Sequence, residues 1–165
     1  MAAGEIIVIE PIPERREIAM RFGATSVIDP NDDPDSVVEQ VRALCDGPSD
    51  RIDAGGRHAR GFFQLPLRQS WQVTRGGGFL HLLSANQYEE ISFPSTEFCL
   101  STRTIYGGQM AGQHVLRDNP RIIAMMERGH VDAGPIITAR YGLDGIIEGF
   151  RGVAERTQLG VIFVP

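Results

Sequence analysis

The sequence lacks the features that would tie it to nucleic acid or to a membrane. Its formal net charge is -5 and its basic residues form no cluster, which argues against nucleic acid or an anionic lipid surface as a partner. No apolar run approaches the roughly 20 residues needed to span a bilayer. The N-terminus also lacks the basic and apolar segments of a signal peptide. We therefore expect a cytoplasmic protein with no membrane or nucleic-acid partner.

Cysteine and histidine are also sparse. Cys45 and Cys99 have neither the spacing of a zinc site nor that of a disulfide framework, and we expect both to be small core residues. His81 falls inside an apolar strand and is expected in the core or at a sheet edge. No spacing typical of metal ligands is shown by the four histidines, which are His58, His81, His114 and His130. We assign no metal ligand and no catalytic residue in this chain.

What the 165 residues do contain is an alternation of strand and helix patterns. Residues 5–9 are continuously apolar, as in a strand buried on both faces of a parallel sheet. The strongest helical period lies between Val37 and Cys45. Further strands are predicted at 24–28, 51–54, 79–83, 104–106, 136–141 and 161–164, and further helices at 13–22, 94–100, 119–128 and 143–153. This order predicts an α/β fold, a parallel sheet flanked by helices.

Two stretches are harder to interpret. A helix is expected over residues 59–73, but Pro66 falls in its middle, so either the helix breaks at Leu65 or the stretch departs from the regular pattern. Gly76–Gly78 resembles a phosphate-binding loop in composition. It precedes a strand, however, instead of following one and opening a helix, so we interpret it as a turn.

Two later helices are predicted to be amphipathic. Asn119 and Pro120 are expected to begin the first, and Gly129 to end it. Its predicted inner face consists of Ile122, Ile123 and Met126. The second carries apolar residues at Leu143, Ile146, Ile147, Phe150 and Val153.

The first predicted strand, Glu5–Glu10, ends on an acid and runs into a helix. A dinucleotide-binding fold presents a carboxylate to the adenosine ribose in this way. In such folds this strand is the second, and a first strand with a glycine-rich phosphate loop precedes it. Only four residues precede Glu5 here. We therefore expect an incomplete Rossmann-like parallel sheet that lacks its first strand and is flanked by helices.

The chain as a whole resembles the C-terminal, NAD-binding half of medium-chain, zinc-dependent alcohol dehydrogenases. The matching phrases, in order, are IIVIEPIPERREIAMRFGATSVIDP, VVEQVRALCDG, IDAGG, TRGGGFLHLLSANQ, STRTIYGGQ, NPRIIAMMERGHVDAGPIITARYGLDGIIEGF and LGVIFVP. The resemblance runs from residue 4 to 165 and is weakest over 57–73. It implies a truncated nucleotide-binding domain over residues 1–111. Residues 112–165 then form a C-terminal segment that in the family packs back on the catalytic domain.

The resemblance also implies a set of cofactor-binding residues. Glu10 would accept hydrogen bonds from the ribose hydroxyls and favour NAD over NADP, although a solvated acid at a strand end remains the alternative. Arg15 would lie near the adenosine, or be an exposed arginine of a first helical turn. Ala54, Gly55 and Gly56 would border the adenine and its ribose, or form a plain turn. The nicotinamide side would be lined by Ser84, Ala85, Gly108 and Met110.

The family transfers a hydride between an alcohol and a nicotinamide cofactor, with a zinc ion acting on the alcohol oxygen. The zinc ligands of the family belong to its N-terminal domain, and we expect this chain to lack them together with the phosphate loop. The chain is therefore predicted to be inactive alone, with weak or absent NAD binding. The alternative is a non-catalytic α/β interaction or weak nucleotide-binding module.

Removal of a central strand has a structural consequence as well. We expect strand two and strand four to pair directly, to pair with another chain, or to leave the fold marginally stable. Homo-oligomers through exposed sheet edges are a further expectation, since Phe79–Leu83 and residues 89–106 resemble the region through which family dimers associate.

Overall fold

The computed structural model describes residues 4–45, 49–54, 64–82, 92–107 and 112–165. The strands in these residues are β1 (Ile7–Ile9), β2 (Ser26–Ile28), β3 (Ser49–Ala54), β4 (Thr74–Leu82), β5 (Thr104–Gly107), β6 (Ile137–Gly142) and β7 (Gly160–Val164). The α-helices are α1 (Pro13–Arg21), α2 (Val37–Leu44), α3 (Gln64–Val73), α4 (Ser95–Leu100), α5 (Val115–Glu127) and α6 (Ile146–Ala154). Single 3₁₀ turns cover Gly134–Ile136 and Leu143–Gly145.

All strand pairs described are parallel, and they form three short sheets. β1 pairs with β2, β4 lies between β3 and β5, and β6 pairs with β7. The predicted α/β, Rossmann-like class is therefore confirmed. Within the described ranges no ladder joins β1 to β3, so the direct pairing of strand two with strand four that we considered does not occur there.

The chain divides into two compact units. The first comprises Met1–Pro11 and Gly23–Gln113, and the second comprises Ile12–Phe22 and His114–Pro165. The first unit thus contains β1 to β5 with α2, α3 and α4. The second contains α1, α5, α6, β6 and β7.

The described residues of the first unit include two small hydrophobic clusters. In one, α2 covers the β1–β2 sheet through buried valines. Burial of each valine side chain stabilises the fold by roughly 1.5–3 kcal/mol. Its buried members are Ile28, Val37, Val41 and Val73. In the other, Leu80 of the central strand β4 packs against Leu67 and Trp71 of α3. Helix α3 contributes to both clusters.

Two glycine- and proline-containing stretches differ from the sequence prediction. In the described residues α3 covers Gln64–Val73, so Pro66 lies within helical backbone and the helix does not break at Leu65. The expected helix start near residue 59 lies outside the described residues. Gly76–Gly78 does not form a separate turn but lies inside β4. The pairing of β4 with β3 shifts register there, because Ser49 pairs with Thr74 and the next pair is Arg51 with Phe79. The run of glycine allows this bulge.

α5 also begins earlier than predicted, at Val115 instead of Asn119. Asp118 makes the earlier start possible, since its carboxylate accepts a 2.9 Å hydrogen bond from the backbone N–H of His114, the N-cap. Pro120 is then inside the helix. The helix ends as predicted before Gly129, whose φ of 72° is one that glycine adopts readily.

In the second unit, α6 packs closely on the β6–β7 sheet. Gly149 is buried, and a Cβ added there would lie 2.7 Å from ring atoms of Phe163 and 3.1 Å from Tyr141. The ring of Phe150 stacks on that of Phe163 with 5.7 Å between centroids. The absence of a side chain at Gly149 therefore sets the distance between helix and sheet.

Several residues expected in the core are exposed in this chain. Ile6 and Ile9 are each 43 % exposed, so β1 is not buried on both faces as its apolar run predicts. Cys45 packs on the α2 cluster as expected, but Cys99 is exposed. The predicted inner face of α5 is also exposed, at Ile122, Ile123 and Met126. No helix in the described ranges has the length and apolar character to cross a membrane.

Candidate nucleotide-binding site

The carboxyl ends of the strands in the β3–β4–β5 sheet lie side by side. Ala54, the last residue of β3, pairs with Leu82 of β4, and Leu82 pairs with Gly107, the last residue of β5. The three strands are parallel, so the loops that follow them leave from one edge of the sheet. This edge is where ligands bind in open α/β sheets.

The expected nicotinamide and adenine residues follow these aligned strand ends. Ala54 lies at the edge itself. Gly55 and Gly56 come next in the sequence, Ser84 and Ala85 follow β4, and Gly108 and Met110 follow β5. These last six fall outside the described residues, so their role remains a prediction. The structure shows the register of β3, β4 and β5, which brings the starts of the three loops together.

Glu10 lies at the corresponding end of the β1–β2 sheet. Its backbone N–H donates a 3.1 Å hydrogen bond to the carbonyl oxygen of Ile28, so the residue extends the ladder by one step. The side chain is half-buried. An ionised carboxylate is an acceptor-only group, and a ribose diol offers two O–H donors. The position and chemistry of Glu10 thus fit the adenosine ribose of a dinucleotide.

Arg15 lies in the first turn of α1, where its N–H donates to the carbonyl of Ile12 at 3.1 Å. The side chain is half-buried. Arg15 belongs to the second compact unit and Glu10 to the first.

Asp29 is a further acid at this sheet edge, and it was not among the predicted site residues. It directly follows β2, next to the hydrogen bond between Glu10 and Ile28, and its carboxylate accepts a 2.9 Å hydrogen bond from the N–H of Asn31. A repeated pattern in the sequence could have indicated Asp29, because two adjacent apolar strands are each followed by an acid. At this sheet edge Glu10 and Asp29 are therefore neighbours across the ladder.

The histidines do not gather into a metal site in the described part of the chain. His81 is buried in β4, with its ring 4.9 Å from the ring of Tyr106 on β5, which confirms the prediction of a core histidine. His114 and His130 lie at either end of α5 and are exposed. Among the described residues no three histidine, cysteine or acidic side chains come together as metal ligands do. These residues do not fit the zinc site of a dehydrogenase.

Among the described residues, Asp118 at the start of α5 takes part in ion pairs with Arg117 and Arg121. Arg117 donates two hydrogen bonds, of 2.7 and 2.8 Å, to the two carboxylate oxygens of Asp118. This bidentate contact, with the N–H of His114 and the nearby Arg121, holds the pKa of the Asp118 carboxyl well below its usual range. The arrangement organises a helix end and has no geometry for binding a nucleotide.

Comparison with protein families and solved structures agrees with this geometry. The family model described as zinc-binding dehydrogenase matches residues 1–127. The chain therefore belongs to the zinc-binding dehydrogenase family, and it corresponds to the NAD-binding, C-terminal part of zinc-dependent alcohol dehydrogenases. No match was found among curated proteins.

Solved structures of dehydrogenases share the fold. An alcohol dehydrogenase zinc-binding domain protein from Burkholderia ambifaria matches 99% of this chain and 43% of its own at 20% identity, with a TM-score of 0.85. Benzyl alcohol dehydrogenase from Acinetobacter calcoaceticus matches 99% and 44% at 20% identity, with a TM-score of 0.85. For 2R,3R-butanediol dehydrogenase from Bacillus subtilis the values are 99% and 44% at 24% identity, with a TM-score of 0.81. The chain thus spans less than half the length of these relatives.

Proposed function

We propose that this chain is the NAD(H)-recognising part of an oxidoreductase that transfers a hydride between an alcohol and a nicotinamide cofactor. The observation that carries the proposal is the position of Glu10, a half-buried carboxylate one step beyond the end of a parallel strand. The aligned ends of β3, β4 and β5 support it, since they bring three loops to one edge. In this proposal residues 1–111 form the nucleotide-binding domain and residues 112–165 the segment that accompanies the catalytic domain in the family.

The carboxylate of Glu10 would hold the ribose by accepting hydrogen bonds from both hydroxyls, and its charge would repel a 2′-phosphate. Arg15 would lie near the adenosine. Ala54, Gly55 and Gly56 would border the adenine, and Ser84, Ala85, Gly108 and Met110 the nicotinamide. Bound NAD would supply the hydride acceptor, and the chain's own residues would bind and orient it.

Calorimetric titration with NADH and with ADP-ribose tests this function. Glu10→Gln should weaken binding at least about tenfold, since a hydrogen bond to a charged group contributes roughly 1.5–3 kcal/mol. The matched control is Glu14→Gln, an exposed acid four residues further along, which should leave binding unchanged. Equal binding by both variants and the unmodified chain would refute the role of Glu10.

We also propose that the 165-residue chain is inactive alone and that it binds NAD weakly. The chain spans 43–44% of the length of the dehydrogenases it matches, and neither its cysteines nor its histidines have the spacing of zinc ligands. Zinc-dependent oxidation of an alcohol by the purified chain would contradict this part. A cytoplasmic location fits the observation that Cys45 and Cys99 form no disulfide in the described part of the chain.

A second candidate is a non-catalytic α/β interaction or weak nucleotide-binding module, acting through exposed sheet edges or apolar faces. The observation in its favour is that several large apolar side chains are exposed among the described residues, with Leu116 at 85 %. Absence of NADH binding at millimolar ligand would favour this module over the oxidoreductase.

A further inference from the structure

The side chains of β5 alternate between the two faces of its sheet. Ile105 packs against the cluster that Leu80 forms with α3, so Tyr106 points to the opposite face. There it lies beside His81 of β4, its partner in the ladder, with 4.9 Å between the two ring centroids. His81 is only 8 % exposed. The sheet and a buried neighbour therefore fix the position of the Tyr106 ring.

The hydroxyl end of Tyr106 contacts Gly112, which lies in the same compact unit. A Cβ added at Gly112 would lie 2.7 Å from Tyr106 Oη and 3.5 Å from the ring atoms Cε1 and Cζ. Gly112 also has a φ of 72°, in the left-handed region that favours glycine. The backbone conformation and the contact with the hydroxyl thus each require glycine at this position.

This contact constrains both ends of a short segment. Gly107 is held in the ladder at the aligned strand ends, and Gly112 is held against Tyr106. Gly108 and Met110, the proposed nicotinamide residues, lie between these two points in the sequence. A segment whose ends are both fixed has fewer accessible conformations, so a ligand that binds it pays less ordering entropy.

We propose that Tyr106 is a positioning residue for the nicotinamide half of the cofactor and acts through its contact with Gly112. This inference rests on the proposed function, because it takes the carboxyl edge of the β3–β4–β5 sheet as the nicotinamide side. The contact reduces the ordering that the residues after β5 undergo when nicotinamide binds. The adenosine half, which Glu10 on the β1–β2 sheet would recognise, does not depend on this contact.

Calorimetric titration with NADH and with ADP-ribose separates the two halves, because ADP-ribose lacks the nicotinamide. Gly112→Ala places a methyl group against Tyr106 Oη, and it should lower NADH affinity about tenfold while leaving ADP-ribose affinity unchanged. Adding Tyr106→Phe removes the oxygen that the methyl group meets. The double variant should therefore regain most of the lost NADH affinity.

The matched control is Gly129→Ala. Gly129 has the same φ of 72°, but no described atom lies within 4 Å of a Cβ added there. The control therefore introduces the backbone strain without the contact, and it should leave both affinities unchanged. Circular dichroism checks that each variant is folded.

The inference is overturned if Gly112→Ala lowers both affinities alike, lowers neither, or is not rescued by Tyr106→Phe. It is also overturned if the unmodified chain binds NADH no more tightly than ADP-ribose, because the nicotinamide side then contributes nothing. In each of these cases Glu10→Gln would still weaken both ligands, and the proposed function would stand. Absence of binding of either ligand would instead refute the proposed function, and this inference with it.

Discussion

Gly149 on α6 lies directly against the ring of Phe163 on β7, at a distance that leaves no room for a methyl group. A Cβ at Gly149 would come within 2.7 Å of two ring carbons. Helix and sheet therefore approach as closely as backbone and ring allow, and this contact defines the packing of the second unit.

Gly149→Ala should consequently destabilise the chain. Overpacking of a tight contact costs about 1–3 kcal/mol, which outweighs the better helix propensity of alanine. Gly152→Ala in the same helix is the comparison, since its Cβ would meet side-chain atoms that can rotate away, Gln158 Cγ at 2.8 Å and Thr157 Oγ1 at 3.5 Å. That change should cost less than Gly149→Ala, because the better helix propensity of alanine, about 1 kcal/mol, offsets the displacement of Gln158. Urea unfolding followed by circular dichroism measures both. Equal effects of the two substitutions would contradict the close contact.

The only tryptophan, Trp71, reports on the core of the first unit. It is 2 % exposed, its indole N–H donates a 3.1 Å hydrogen bond to Glu97, and the guanidinium of Arg103 lies 4.5 Å above its ring. Glu97→Ala should leave the buried N–H without its acceptor, at a cost of about 1–3 kcal/mol. Unfolding followed by tryptophan fluorescence should detect this loss.

The control for this prediction is Glu39→Ala, which removes an exposed acid from α2 and should change stability by less than about 0.5 kcal/mol. A result in which both variants unfold at the same urea concentration as the unmodified chain would show that the bond to Glu97 contributes nothing.

The start of α5 should be sensitive to acid. The bidentate hydrogen bond from Arg117 lowers the pKa of Asp118 in the folded chain. A carboxyl with a lowered folded-state pKa stabilises the fold fully above its unfolded pKa, about 3.9, and loses that contribution as the pH falls below it. Asp118→Asn should therefore reduce stability near neutral pH and remove part of the acid-induced loss of helix.

Circular dichroism between about pH 6 and pH 2 follows this loss, a window that spans the ordinary carboxyl pKa. Glu127→Gln, at the exposed far end of α5, serves as the control and should retain the acid dependence of the unmodified chain. If Asp118→Asn titrates like the unmodified chain, the pairing with Arg117 has no influence on folding.

Local patterns in the sequence predicted the type and order of most elements, because strand, helix and turn signals act over a few residues. These local signals were sufficient to predict α4 after Pro94 and β5 at Thr104–Gly107. The start of α5 depended on a side chain, Asp118, bonding back to a backbone N–H, and periodicity does not register such a bond. The bulge at Gly76–Gly78 depended on the register between β3 and β4, which is a property of two strands together.

Burial was the property that the sequence predicted least well. Apolar residues of β1, α5 and α6 have the periodicity of inner faces, yet Ile9, Ile123 and Ile147 are at least 43 % exposed. Periodicity shows that a face is suited to burial and does not show what covers it. For the candidate site, the sequence indicated Glu10 through its strand-end position. The alignment of Ala54, Leu82 and Gly107 required the sheet register.

The central claim is that Glu10 makes this chain recognise the ribose of NAD, and relative affinity for NADH and NADPH tests it most directly. Both affinities should be measured by fluorescence titration for the unmodified chain, for Glu10→Gln and for the control Glu14→Gln. The account predicts that the unmodified chain and the control bind NADH more tightly than NADPH, and that Glu10→Gln loses about tenfold of this preference. Equal affinity of the unmodified chain for the two dinucleotides, or a preference unchanged in Glu10→Gln, would contradict it.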